Sequence, residues 1–213
     1  MKHRDYKQFS QGCYAHVFNR GNAKLDIFYD DEDYRYFLYR LKEQLHGRLM
    51  PASGSGRYVR QLLPPHSFTL LAYCLMPNHF HLIIRQDVSI PVSRLVHRVC
   101  TSYSKYFNKK YNRIGHVFQD QFKSVEVTSD EQLWWLSAYV HTNPVVGALV
   151  QKPEEYTWSS YQDYAGMRFG ILCDTGIVLS RFRTFFDYEK FVHASAGFIR
   201  SRKELKDLLL DAG

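Results

Sequence analysis

The sequence is poor in several features, and each shortage narrows what the chain can be. Four cysteines stand among 213 residues (Cys13, Cys74, Cys100 and Cys173), and none form a C-x-x-C pair. Their scatter suits buried thiols in a reducing compartment better than a disulfide framework or a cysteine zinc site. No run approaches the ~18 consecutive apolar residues of a spanning helix. Met1 to Gly12 is polar, without the apolar stretch of a signal peptide. A cytoplasmic protein that does not cross a membrane is therefore expected. No G-x-x-x-x-G-K-[ST] loop is present to cradle nucleotide phosphates, and no solenoid-type repeat recurs. Acidic residues are missing from Val88 to Gln119, a 32-residue window that holds six Lys/Arg.

Hydrophobic residues make up 45% of the chain, enough for one sizeable core and not a disordered composition. The formal net charge is +7, which attracts polyanions. Tyrosine (16) and phenylalanine (15) are abundant. Such rings fill cores and can also stack on unpaired bases.

The element order follows from periodicity. Cys13 to Asn19 reads as a strand, ended by Arg20-Gly21-Asn22. Four acids, Asp30 to Asp33, favour a helix N-terminus, and Tyr34, Phe37, Leu38, Leu41 and Leu45 continue at helical spacing. Gly47 to Pro65 reads as a loop carrying three arginines. Ser67–Met76 and His79–Gln86 form a hairpin about Pro77-Asn78. Pro91 opens a second helix whose apolar face carries Leu95, Val99, Tyr103 and Tyr106, while Arg94, Arg98, Lys105 and Lys109 occupy another. Val117 to Val127 reads as a fourth strand. Ser129 to Gln132 offers a capping box, and the helix it starts is expected to end near Asn143, before Pro144. The order β-α-β-β-α-β is the ferredoxin-like split βαβ pattern, an α+β class with an antiparallel four-stranded sheet. We expect a first unit over 1–150 and an extension over 151–213 packed on it, mostly helical, with an amphipathic helix near Tyr188 to Ile199.

His79-Phe80-His81 is the first candidate for chemistry. On a strand, residues i and i+2 share a side, so both imidazoles project together while Phe80 points away. Two neutral imidazoles can bind a divalent metal, but such a pair can equally be core-edge histidines. On the helix after strand four, Tyr139 and Asn143 lie one turn apart on one face, and His141 lies roughly opposite. If that helix covers the open face of the sheet, Tyr139 and Asn143 sit over the histidine pair, with Asn143 as a third ligand through its amide oxygen. Alternatively, Asn143 simply caps the helix.

Several stretches taken together resemble a known family. They are N-R-G-N at 19–22, I-F-Y-D-D-E-D-Y at 27–34, Y-C-L-M-P-N-H-F-H-L-I-I at 73–84, G-H-V-F-Q-D-Q-F-K-S at 115–124, A-Y-V-H-T-N-P-V at 138–145 and Y-T-W-S-S-Y at 156–161. The chain is similar over most of its length to tyrosine transposases of the HUH single-strand nuclease superfamily, especially the REP-associated group. That resemblance implies His79 and His81 as ligands of the catalytic metal (Mg2+ or Mn2+), Asn143 completing the site, and Tyr139 as nucleophile. It implies a single-stranded, hairpin-bearing DNA substrate, from a palindromic repeat or an insertion-sequence end, cut through a covalent phosphotyrosine. The departure is the long C-terminal segment. Arg20, Arg94, Arg98, Lys105, Lys109 and Lys110 are the candidate phosphate contacts, and Arg48 to Arg60 a candidate grip on a hairpin stem. Three rival readings stand beside this one: a silent structured-DNA or RNA-binding protein of the same fold, a hydrolase using water, and a small-molecule sensor. Monomer and homodimer both remain open, as does whether Tyr139 serves its own chain's site.

Overall fold

The computed structural model describes residues 9–47 and 62–201. The proposed grip at Arg48 to Arg60 lies outside them, as does most of the arginine-bearing loop. The strands are β1 (Tyr14–Arg20), β2 (Phe68–Met76), β3 (His79–Gln86) and β4 (Lys123–Val127). The helices are α1 (Asp31–His46), α2 (Val92–Lys110), α3 (Asp130–Val146), the single turns α4 (Tyr161–Tyr164) and α5 (Gly176–Leu179), and α6 (Phe185–Ser201). The strands form one antiparallel sheet in the order β2-β3-β1-β4, the ferredoxin-like arrangement.

Period-two alternation splits the apolar residues into two cores, one on each face of the sheet. Ala15, Val17, Phe80, Leu82 and Ile84 point to α1 and α2 and join Phe37, Leu41, Leu95, Val99 and Tyr103. The opposite face presents Cys74, Met76 and Ile83 to Leu136, Tyr139 and Val140 of α3 and to Tyr188 and Val192 of α6. A register shift between Leu70 and Ala72 turns Leu71 and Ala72 both onto this second face. Residues beyond 150 complete that core. Segment 158–160 lies along the outer edge of β2, with Leu75 N donating to Trp158 O and Ser160 N to Tyr73 O, both at 2.9 Å. A free strand edge is thereby covered.

Local chemistry accounts for the helix starts. Asp30 accepts from the Glu32 and Asp33 amides and Asp33 reciprocates, closing a capping box at α1. At α3 only half of the expected box forms. Ser129 Oγ accepts from Gln132 N, while Gln132 Oε1 takes the Thr128 amide, one residue earlier.

Two boundaries differ from the sequence expectation. The fourth strand is shorter, because Phe118 makes only an isolated bridge to Gly21 and Asp120 folds back onto the Gln121 amide. Helix α3 does not stop before Pro144 but runs through it to Val146. The proline lies in the last turn, where only the bond to the Val140 carbonyl is forfeited. Thr142 Oγ1 and Asn143 Nδ2 both donate to the Tyr139 carbonyl, at 3.2 and 3.3 Å.

Candidate active site

The site is built on the α3 side of the sheet. Strand β3 turns His79 and His81 to that face and Phe80 into the first core, as the alternation predicted. The two imidazole centroids are 5.0 Å apart with perpendicular planes. Rings sharing one cation through bonds of about 2.1 Å have centroids roughly 4.5–5.3 Å apart, so the pair fits a common metal ion.

Each ring is held through Nδ1. Asn78 Oδ1 lies 2.6 Å from His79 Nδ1. Because an amide oxygen only accepts, that nitrogen donates and the lone pair falls on Nε2. His81 Nδ1 lies 3.0 Å from Nε2 of a third histidine, His16 of β1. Phe18 stacks on both rings, at 4.9 Å from His16 and 5.8 Å from His81. Burial drives the imidazoles toward neutrality. It brings His16 down to about 3 and, with His79 and His16 beside it, holds His81 well below the usual histidine range. Neutral rings are the form that can ligate a metal.

Tyr139 stands edge-on to His81, with centroids 5.4 Å apart, and also borders His16 at 6.3 Å. The phenol ring of α3 is therefore beside the paired imidazoles within one chain. Tyr139 and Asn143 share one face of α3 at four-residue spacing, and Gly147, the residue that caps its C-terminus, continues the line. The far end of that line passes close to Met76, the strand partner of His79, since a Cβ at Gly147 would sit 2.9 Å from the Met76 methyl. Asn143 thus lies between a residue over His81 and one over the start of β3. Its Nδ2 turns back to the helix, leaving Oδ1 as the atom with ligand character. Among the described residues no three His, Cys, Asp or Glu side chains form a ready metal cluster, so a cation here would need the amide oxygen and water. His141, expected on the other side, is buried there between Tyr188 OH (2.7 Å) and Ser160 Oγ (2.8 Å).

The predicted basic residues divide. Arg20 is the strand partner of His79 and, by parity, faces the same side. Its Nε is buried and makes no hydrogen bond among the described residues. Arg94, Arg98, Lys105 and Lys109 lie on α2, across the sheet from Tyr139. Lys105 borders a groove of about 510 Å3 that runs past His97, Thr101 and Ser104 to His116 and Gln119. Lys110 departs from the expectation. Its ammonium is held by Asp30, Glu32 and Asp33 at 2.7–3.0 Å, tying the end of α2 to the start of α1 rather than facing phosphates. The contact that sequence reasoning missed is His16. Its only signal was a histidine flanked by Ala15 and Val17 in an apolar strand, which placed it on the His81 face once the strand order was known.

Comparison with known proteins adds the lineage. The family described as IS200-like transposases matches residues 10–143. The chain belongs to that family. No curated protein matches this transposase. Among solved structures, one described as a REP-associated tyrosine transposase bound to a REP hairpin is similar, with a TM-score of 0.55 and 14% identity. The match covers 78% of this chain and 86% of the other. At that identity the likeness establishes the fold. The α+β architecture and the transposase family read from the sequence both stand. No helix among the described residues is long and apolar enough to cross a membrane.

Proposed function

We propose that this transposase cuts and rejoins single-stranded DNA beside a hairpin, with Tyr139 as nucleophile. The observation that carries the reading is the juxtaposition of the Tyr139 ring with His81, 5.4 Å between centroids, on the face that also bears His79. The Tyr139 oxygen would form a bond to phosphorus as the bond to the 3′-oxygen breaks. The phenolic proton is lost to solvent, and the leaving 3′-oxygen is protonated to a hydroxyl. A phosphotyrosine ester conserves the phosphodiester's energy, so rejoining needs no nucleotide, in keeping with the missing P-loop.

His79 and His81 through Nε2, and Asn143 through Oδ1, would hold a divalent cation. Two imidazoles with an amide oxygen and water suit Mn2+ well and Mg2+ acceptably. Bound there, such an ion would offset charge on a non-bridging phosphate oxygen. Arg20, beside His79, supplies a guanidinium to the same phosphate, a group suited to oxygen recognition through two donors. The hairpin partner is proposed from the hairpin bound by the similar structure and from this chain's net charge of +7. A cytoplasmic location accords with the scattered free thiols.

The test is direct. Protein, Mn2+ and end-labelled hairpin DNA with single-stranded flanks are incubated and run on a denaturing gel. We expect a slow protein-linked band from the parent protein, absent from Tyr139→Phe and His79→Ala. Cleavage without any linked band would assign the attack to water, and hairpin binding without cleavage would make the chain a silent binder.

A further inference from the structure

We infer that His16 is a positioning residue, whose Nε2 accepts the His81 Nδ1 proton and so keeps the His81 lone pair on Nε2. The inference rests on the proposed role of His81 as a ligand and goes beyond it to a residue outside the proposed ligand set.

Four observations converge on it. His16 Nε2 and His81 Nδ1 are 3.0 Å apart, and the rings lie nearly parallel, 19° between planes with centroids at 5.2 Å. His16 is only 3% exposed, in a strand whose neighbours Ala15 and Val17 are wholly buried. A polar ring at such a position is costly unless its hydrogen bond is made, and the bond it makes is to a site residue. Phe18, the strand partner of His81, stacks against both rings and limits their rotation about the contact. Finally, His79 is held in the same manner from a different element, through Nδ1 by Asn78 Oδ1 at 2.6 Å. Both imidazoles are thus gripped at the same ring atom, which leaves the same ring atom of each for a shared ion.

The two grips differ in kind. An amide oxygen can only accept, so Asn78 fixes the His79 tautomer outright. An imidazole nitrogen can accept or donate. If His16 Nε2 carried the proton and donated it, His81 would be protonated on Nε2 and closed as a ligand. His16 therefore serves the site only as an acceptor, and a neutral acceptor adds no charge to a buried face where a carboxylate would have to be desolvated.

The experiment uses the full chain labelled with 15N-histidine, without metal and then titrated with MnCl2. Long-range 1H–15N spectra of the metal-free protein report the His81 tautomer, and calorimetry or electron paramagnetic resonance reports Mn2+ affinity. In the parent we expect the His81 proton mainly on Nδ1. His16→Leu, which fills the buried position without an acceptor, should move it toward Nε2 and weaken Mn2+ binding by roughly 10–100-fold, the usual cost of losing such a support. His16→Gln restores an acceptor oxygen at similar reach and should recover most of the affinity. A metal-free parent with the His81 proton on Nε2, or a folded His16→Leu that binds Mn2+ as tightly as the parent, would overturn the inference. A parent that binds no Mn2+ at all would sink the proposed metal site instead, and the tautomer spectra would still decide the role of His16. Should His16→Leu fail to fold, the parent spectra and His16→Gln carry the decision, because a proton on Nε2 in both refutes it.

Discussion

Replacing Lys110 with methionine separates a structural lysine from a DNA-facing one. Its Nζ stands 2.7 Å from Asp30, 2.9 Å from Glu32 and 3.0 Å from Asp33. The Asp30 and Glu32 side chains are 50% and 68% exposed, so each pair is screened and contributes at most about 1 kcal/mol. Asp33 differs, because its side chain is 0% exposed. Removing the partner of a buried charge costs about 3–5 kcal/mol when both groups are buried. Lys110 is partly exposed, and Asp33 keeps the Tyr29 amide and the Tyr106 and Tyr111 hydroxyls at 2.8–3.1 Å. A loss of about 2–3 kcal/mol follows, or roughly 4–12 °C in Tm for a domain of this size. The exposed Lys109→Met should stay within about 0.5 kcal/mol. DNA affinity of folded Lys110→Met, measured across a salt series, should keep the parent slope, since each lost phosphate contact would lower that slope by about 0.9. An unchanged melting midpoint, or a salt slope reduced by about one contact in a protein of parental stability, would refute the assignment of Lys110 to the α1 terminus.

Three further outcomes are expected. Tyr188→Phe removes the hydroxyl shared by His141 Nδ1 (2.7 Å) and Ser137 Oγ (3.2 Å), and urea unfolding should show a loss of about 1–3 kcal/mol. Tyr29→Phe, at a half-exposed ring, is the control that should barely move. Gly21→Ala would bring a Cβ to 2.0 Å from the Leu25 carbonyl oxygen, so the backbone must shift at a cost of about 1–3 kcal/mol. Gly147→Ala meets the flexible Met76 methyl at 2.9 Å and the Asn143 carbonyl oxygen at 3.2 Å, both milder than the clash at Gly21, and should cost about 1 kcal/mol or less; equal melting losses would contradict this. Asn78→Ala takes away the Oδ1 that orients His79, and Mn2+ titration should show affinity lower by roughly 10–100-fold.

Much of the architecture was legible because the signals were local. The acid run Asp30 to Asp33, the Pro77-Asn78 turn and strict alternation through His79-Phe80-His81 each decide a short piece of backbone, and each formed as read. The face shared by Tyr139 and Asn143 followed from helical spacing alone. The rest depended on long-range partners. His16 and His81 are 65 positions apart, and only the strand order β3-β1 brings them together. Lys110 looks like any exposed lysine of α2 until α1 is placed beside it, 77 positions away from Asp33. The continuation of α3 through Pro144 was missed because proline's penalty shrinks in a last turn, where few backbone bonds remain to lose.

The burial of α3 on two sides constrains how Tyr139, the proposed nucleophile, can be delivered. One flank lies on the sheet, and the other is stapled to α6 by Trp135 against Phe191 and Phe198 and by the Ser137–Tyr188 hydroxyl pair. Lending Tyr139 to a neighbouring molecule would require peeling apart both layers, which a hinge at the short β4–α3 connection alone does not achieve. If the proposed chemistry holds, a chain lacking Tyr139 mixed with one lacking His79 is therefore expected not to restore cleavage, and complementation would contradict this packing argument.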